Sequence, residues 1–290
     1  MNNYKFYYCK PPKSLSRVVK GFWMISGKEG ANGFNRVKIL PCSGFGIIST
    51  LKGEFFYSGQ EGILKNYPRS FLVGVRSMDY EVSIFGDYEL FGIIFHPEIY
   101  HSLHLTSAKE LVDNKIALSN IFEKNSSQFE EELYFGETFM EKTAVASRYL
   151  ENHFLLRQKS PDEKFGFLMR DIHSHLYLKN VDEISKMCSM SIRNFNRTFL
   201  DRMGINPKKY NRIIRFQKII NYFNSERDCP NLTSLAYEFG YVDQSHFIRD
   251  FSKLSGTTPL RFKNSSAFEP KEELIKELTH KMKNADLIHA

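Results

Sequence analysis

Two clusters of side chains in the second half of the chain have the chemistry to grip base edges. Arg193, Asn196 and Arg197 lie at i, i+3 and i+4 and so share one face of a helix. Gln244, Ser245, His246 and Arg249 form the second cluster. A guanidinium can donate to guanine O6 and N7 together, and Asn or Gln amides match adenine N6 and N7, so both clusters suit a major groove. The plainer role for Arg197 and Arg249 is a surface ion pair, and a short side chain such as Ser245, or His246 at a helix edge, can fall short of the bases. Lys208, Lys209 and Arg212 open another helix, where their charge suits phosphates or is simply solvated.

Other chemistries lack the spacing they need. There is no GxSxG, no phosphate-cradling glycine loop and no HExxH, so no enzyme is expected. His96, Glu98, His101 and His104 invite a metal, but their spacing does not bring three ligands to one point, and neither metal nor cofactor is expected. Cys9, Cys42, Cys188 and Cys229 are too scattered for a metal site or a reactive thiolate cluster, and read as free thiols in a reducing compartment. With no run of about 18 apolar residues and no signal-peptide pattern, a cytoplasmic protein without membrane contact is expected.

The elements that must position the two clusters form an internal repeat. Phe195, Arg197, Phe199, Gly204, Pro207 and Tyr210 are answered 52 residues later by Phe247, Arg249, Phe251, Gly256, Pro259 and Phe262. Upstream, Val181, Ile184 and Ser185 answer Leu232, Leu235 and Ala236 one residue out of step. In the second copy a short helix with apolar Leu232, Leu235, Ala236 and Phe239 meets Gly240, which permits an abrupt turn, and Asp243 caps the next helix. In the first copy the turn is Cys188–Met190 and Ser191 is the cap. Two helices joined steeply by a short turn are a helix-turn-helix. The aromatic residues could stack on bases, but at helical spacing they read as core. Pro207–Phe223 joins the copies as about 25 Å of rigid helix, long enough to hold two recognition helices on one duplex about 34 Å apart.

Length and composition agree with two folded domains: 290 residues, 42% hydrophobic and 25% charged. The net charge of +7 is concentrated. Residues 165–263 hold 16 basic and nine acidic side chains, and the rest of the chain is balanced. That segment suits a polyanion, though the same excess could be a merely soluble surface. Earlier in the chain, Arg36–Leu40, Gly46–Thr50, Glu54–Tyr57, Ser70–Val75, Tyr80–Phe85 and Glu89–Phe95 read as short strands of an antiparallel barrel or sandwich. Helices start near His96-Pro97-Glu98, and Gln128–Leu156 carries a helical apolar stripe. The expected fold is thus α+β: a β-rich domain with a helical end over residues 1–160, a helical domain over 165–264 after a polar linker, and a helical tail over 265–290.

Residues 167–263 resemble the tandem helix-turn-helix DNA-binding domain of AraC/XylS-type bacterial transcription regulators, through Leu235-Ala236-Tyr-Glu-Phe-Gly240-Tyr-Val-Asp-Gln-Ser-His-Phe247, Arg249-x-Phe251 and Gly256-x-x-Pro259-x-x-Phe262. Ser189 stands where that family usually has Gly, and Phe262-Lys263 replaces the commoner Tyr-Arg. Val19-Lys-Gly-Phe-Trp23, Ile39-Leu-Pro41 and Leu90–Pro97 resemble, more weakly, the cupin-like domain found ahead of this module, with Cys42-Ser43-Gly44 replacing a frequent Asp-Gly. The resemblance implies duplex DNA as partner, read by Arg193, Asn196, Arg197, Gln244, Ser245, His246 and Arg249. An effector at the first domain, a homodimer, and RNA polymerase for an activator are further candidate partners that the sequence leaves open. The competing reading is a small-molecule-binding or enzymatic barrel with an appended helical domain.

Overall fold

The computed structural model describes residues 4–31, 33–58, 64–66, 68–100, 106–122, 124–153, 163–225 and 231–264. Its strands are β1 (Tyr4–Cys9), β2 (Val19–Gly27), β3 (Phe34–Ile39), β4 (Phe45–Ser58), β5 (Leu64–Asn66), β6 (Ser70–Val73), β7 (Tyr80–Phe95) and β8 (Lys115–Ala117). They pair antiparallel in the order β1-β2-β7-β4-β6-β8, with β3 also on β7 and β5 also on β4. Two pairs of expected short strands are each one long strand. β4 shifts register between Thr50 and Glu54, where Gly53 takes φ +90°, and β7 bends at Gly86, φ +75°. A glycine that reads as a turn thus bends a ladder without ending it.

Side chains alternate across the sheet, as strand geometry requires. Phe45, Ile47, Leu72, Phe91, Ile93 and Phe95 face one core, and Ile48, Phe71, Val73 and Leu90 face another. Helices α1 (Ala108–Leu111), α2 (Ser119–Phe122), α3 (Lys124–Phe135) and α4 (Phe139–His153) follow. The expected continuous stripe from Gln128 is broken after Phe135 into α3 and α4. Phe129 and Leu133 of α3, with Ala146, Tyr149 and Leu150 of α4, cover the first core, while Met140 is left exposed.

Among its described residues the second domain has helices only: α5 (Glu163–Ser174), α6 (Val181–Met187), α7 (Ile192–Met203), α8 (Pro207–Ser225), α9 (Leu232–Glu238), α10 (Gln244–Ser255) and α11 (Pro259–Asn264). It has two cores that share α8. The front of α8 gives Tyr210, Ile213 and Ile214 to a core with Phe165, Met169, Ile184, Phe195 and Phe199. The rear gives Phe216, Ile219, Ile220 and Phe223 to a core with Leu235, Ala236, Phe247, Phe251 and Phe262. The architecture is mixed α+β.

The sheet domain is docked on both cores, sending Val75 into the first and Leu40 into the second. Ser43 donates to Gln217 Oε1 of α8 at 2.7 Å, and Lys38 donates to the Ser255 carbonyl at 2.8 Å. The Cys9, Cys42 and Cys188 thiols are free. No helix among the described residues is long and apolar enough to cross a membrane. His101, His104, Cys229, the linker from 158 to 162 and the tail from 265 lie outside the described residues.

Candidate nucleic-acid interface

Each helix pair is built by local polar chemistry that its sequence specifies. Asn180 and Glu183 form a reciprocal capping box at α6, each side chain accepting from the other's backbone N–H at 2.9 Å. Ser189 takes φ +55° in the turn, and the Ser191 side chain accepts from the Asn194 N–H to start α7. In the second unit Asn231 caps α9, Gly240 turns at φ +72°, and Asp243 accepts from the His246 N–H at 2.7 Å to start α10. Both α7 and α10 end on a left-handed glycine, Gly204 and Gly256. Ser185 and Ala236, both fully buried, leave room for the helix crossings. The 52-residue repeat in sequence is a repeat in structure.

The predicted base-reading residues lie on α7 and α10, outside the cores. Arg193 and Arg197 are exposed, as are Ser245 and Arg249, while Asn196, Gln244 and His246 are partly buried. Several already have partners within their own unit. Asn196 donates to the Ile192 carbonyl at 2.9 Å, Arg197 to Asn194 Oδ1 at 3.0 Å, and Gln244 accepts from the Thr233 hydroxyl at 2.8 Å. His246 meets the Tyr241 ring edge-on, with centroids 5.3 Å apart. These are exposed local bonds of small net strength, which water or a ligand can replace. Phe195, Phe199, Phe247 and Phe251 are each no more than 2% exposed, so they are core and not stacking platforms.

The three basic residues at the start of α8 part company. Lys208 is exposed, and Lys209 is partly buried. Arg212 is turned inward: its Nε donates to Asp250 Oδ1 at 2.7 Å, and Asp250 also accepts from the Tyr241 hydroxyl at 3.1 Å. Burial and this carboxylate push the Tyr241 pKa up, so the hydroxyl keeps its proton. Arg215, which the sequence reading passed over, donates to the Gly240 carbonyl at 3.1 Å and stands over the Tyr241 ring at 5.2 Å. Two arginines of α8 therefore brace the turn of the second unit. The repeat gives no signal for this brace, since the position of Asp250 is held by Thr198 in the first copy.

Two capped helix pairs strung on one shared helix define a tandem helix-turn-helix module. Residues 184–265 match a family model described as a helix-turn-helix domain, and residues 7–117 match one described as a domain of unknown function (DUF6597). The match in the C-terminal domain is to an AraC-type helix-turn-helix domain. The chain is 22% identical over 161 residues to the uncharacterized HTH-type transcriptional regulator YdeC of Bacillus subtilis (strain 168), covering 55% of this chain and 54% of YdeC. It thus spans about half the length of that curated relative. Similar solved structures include ToxT from Vibrio cholerae, with TM-score 0.44, 12% identity and coverage of 90% of this chain and 97% of that one. ToxT with unsaturated fatty acid bound gives 0.44, 12%, 91% and 96%. The C-terminal domain of AraT, a response regulator from Geobacillus stearothermophilus, gives 0.32, 21%, 36% and 84%.

Proposed function

We propose that the protein is a sequence-specific, cytoplasmic transcription regulator that reads two successive major-groove segments of duplex DNA with α7 and α10. The observation that carries this is the duplicated helix-turn-helix whose two second helices keep arginines exposed at equivalent positions, Arg197 and Arg249. In this reading Arg193, Asn196, Arg197, Gln244, Ser245, His246 and Arg249 face bases, and Lys208 and Lys209 face phosphates. Arg212 works indirectly, by holding α10 through Asp250. The docked sheet domain is the regulatory part, where a small-molecule effector or a second copy of the chain acts, and RNA polymerase is the further partner of an activator.

Selection of duplexes from random or genomic DNA by the purified full chain tests the reading. On the selected site, Arg197→Ala and Arg249→Ala are each expected to weaken binding by about 1–3 kcal/mol and to relax base preference at one position. Unchanged affinity in both variants would overturn the groove assignment.

A further inference from the structure

We propose that apolar side chains at the starts of the two recognition helices read thymine C5-methyl groups, so that the preferred site carries thymines beside the bases gripped by the arginines. This inference rests on the DNA-binding reading above and adds a second kind of base contact to it.

Among the exposed large apolar side chains of the helical domain, Met190, Ile192 and Val242 stand out by position. They are 37%, 47% and 76% exposed. Met190 and Val242 are equivalent in the repeat, each immediately before the capping residue, Ser191 or Asp243. Ile192 is the first residue of α7. A single exposed apolar residue on a surface needs no explanation. An exposed apolar side chain at the same place in both copies, at the helix end that enters a groove first, is a pattern.

None of the three belongs to the cores of the two units, which are filled by Phe195, Phe199, Phe247 and Phe251. An apolar protein partner fits the surroundings poorly, since Arg193 and Arg197 are exposed on the same end of α7. A duplex fits both features. Its phosphates match the positive charge, and the thymine methyl is the distinctive apolar group on its major-groove edge. Ile192 and Val242 are β-branched, so their χ1 torsions are restricted and they lose little freedom on contact.

Deoxyuridine isolates the effect, because it removes the methyl and leaves base pairing intact. Full-chain protein is titrated with the duplex obtained by selection and with versions carrying deoxyuridine at each thymine in turn. Wild type is expected to bind about three- to four-fold more weakly for each contacted methyl removed. Met190→Ala combined with Ile192→Ala should abolish the thymine preference in the half-site of α7 and leave that of α10, and Val242→Ala should do the reverse. All three residues are exposed, and circular dichroism checks that the variants fold. Equal wild-type affinity for thymine and deoxyuridine duplexes, or a full preference surviving in both variants, would overturn the methyl reading while leaving DNA binding in place. Failure to select any duplex would overturn both.

Discussion

Among individual residues, similar chemistry has been sent to different tasks by small differences in position. Lys208 and Arg212 both belong to the first two turns of α8, yet one is exposed and the other is held by Asp250. Lys208→Ala is therefore expected to weaken binding to every duplex alike and to flatten the salt dependence by about one unit, measured as the slope of log K against log salt. A loss confined to the selected site would place Lys208 at a base instead. Arg212 could not be read this way from sequence, because its partner lies 38 residues away and only the fold brings the two together.

At the level of elements, the turns carry the strain. Ser189 adopts φ +55° where its counterpart Gly240 takes φ +72° without penalty. A side chain with a Cβ is strained in that region by about 1–2 kcal/mol. Ser189→Gly should accordingly raise stability by about 1 kcal/mol, less the extra freedom glycine gains in the unfolded chain, as read from denaturant midpoints. The starts of α7 and α10 were legible because caps are local: Ser191 and Asp243 each act on residues within one turn. The same locality misled in the sheet and in the long helical stripe. Gly53 and Gly86 look like strand ends but are bends, and whether a ladder continues through a glycine depends on neighbouring strands distant in sequence. The stripe from Gln128 concealed the break between α3 and α4 because both helices turn their apolar side chains to the same core. The outward polar clusters on α7 and α10 were legible because Phe195, Phe199, Phe247 and Phe251 fix which face is buried. The brace from Arg212 and Arg215 was not.

Across the whole molecule, polar contacts along α8 tie helix to helix and domain to domain. His173 of α5 and the Tyr210 hydroxyl of α8 share a hydrogen bond of 2.8 Å, and about two turns further along α8 Gln217 accepts from Ser43 of the sheet domain. Burial, with Lys20 and Lys218 nearby, pushes the His173 pKa down to about 3 from its ordinary 6.5. The folded form therefore holds a neutral ring, and the unfolded chain takes up a proton first. His173 contributes stability that is complete above about pH 6.5 and is lost as the pH falls toward 3. His173→Gln, which keeps a hydrogen-bonding side chain without the titration, should flatten the fall in unfolding free energy between pH 6.5 and 4.5. An unchanged slope would show that this ring does not govern acid sensitivity.

The division of α8 between two cores sets how the protein could be re-engineered. Ile213 and Ile214 serve one unit and Phe216 and Ile219 the other, while Arg212 already reaches across to Asp250. Neither unit is a cassette that can be exchanged at its loops. A chimera with new target preference has to be spliced inside this helix, near Arg215, and because that cut parts Arg212 from Asp250, each parent has to supply its half of this ion pair.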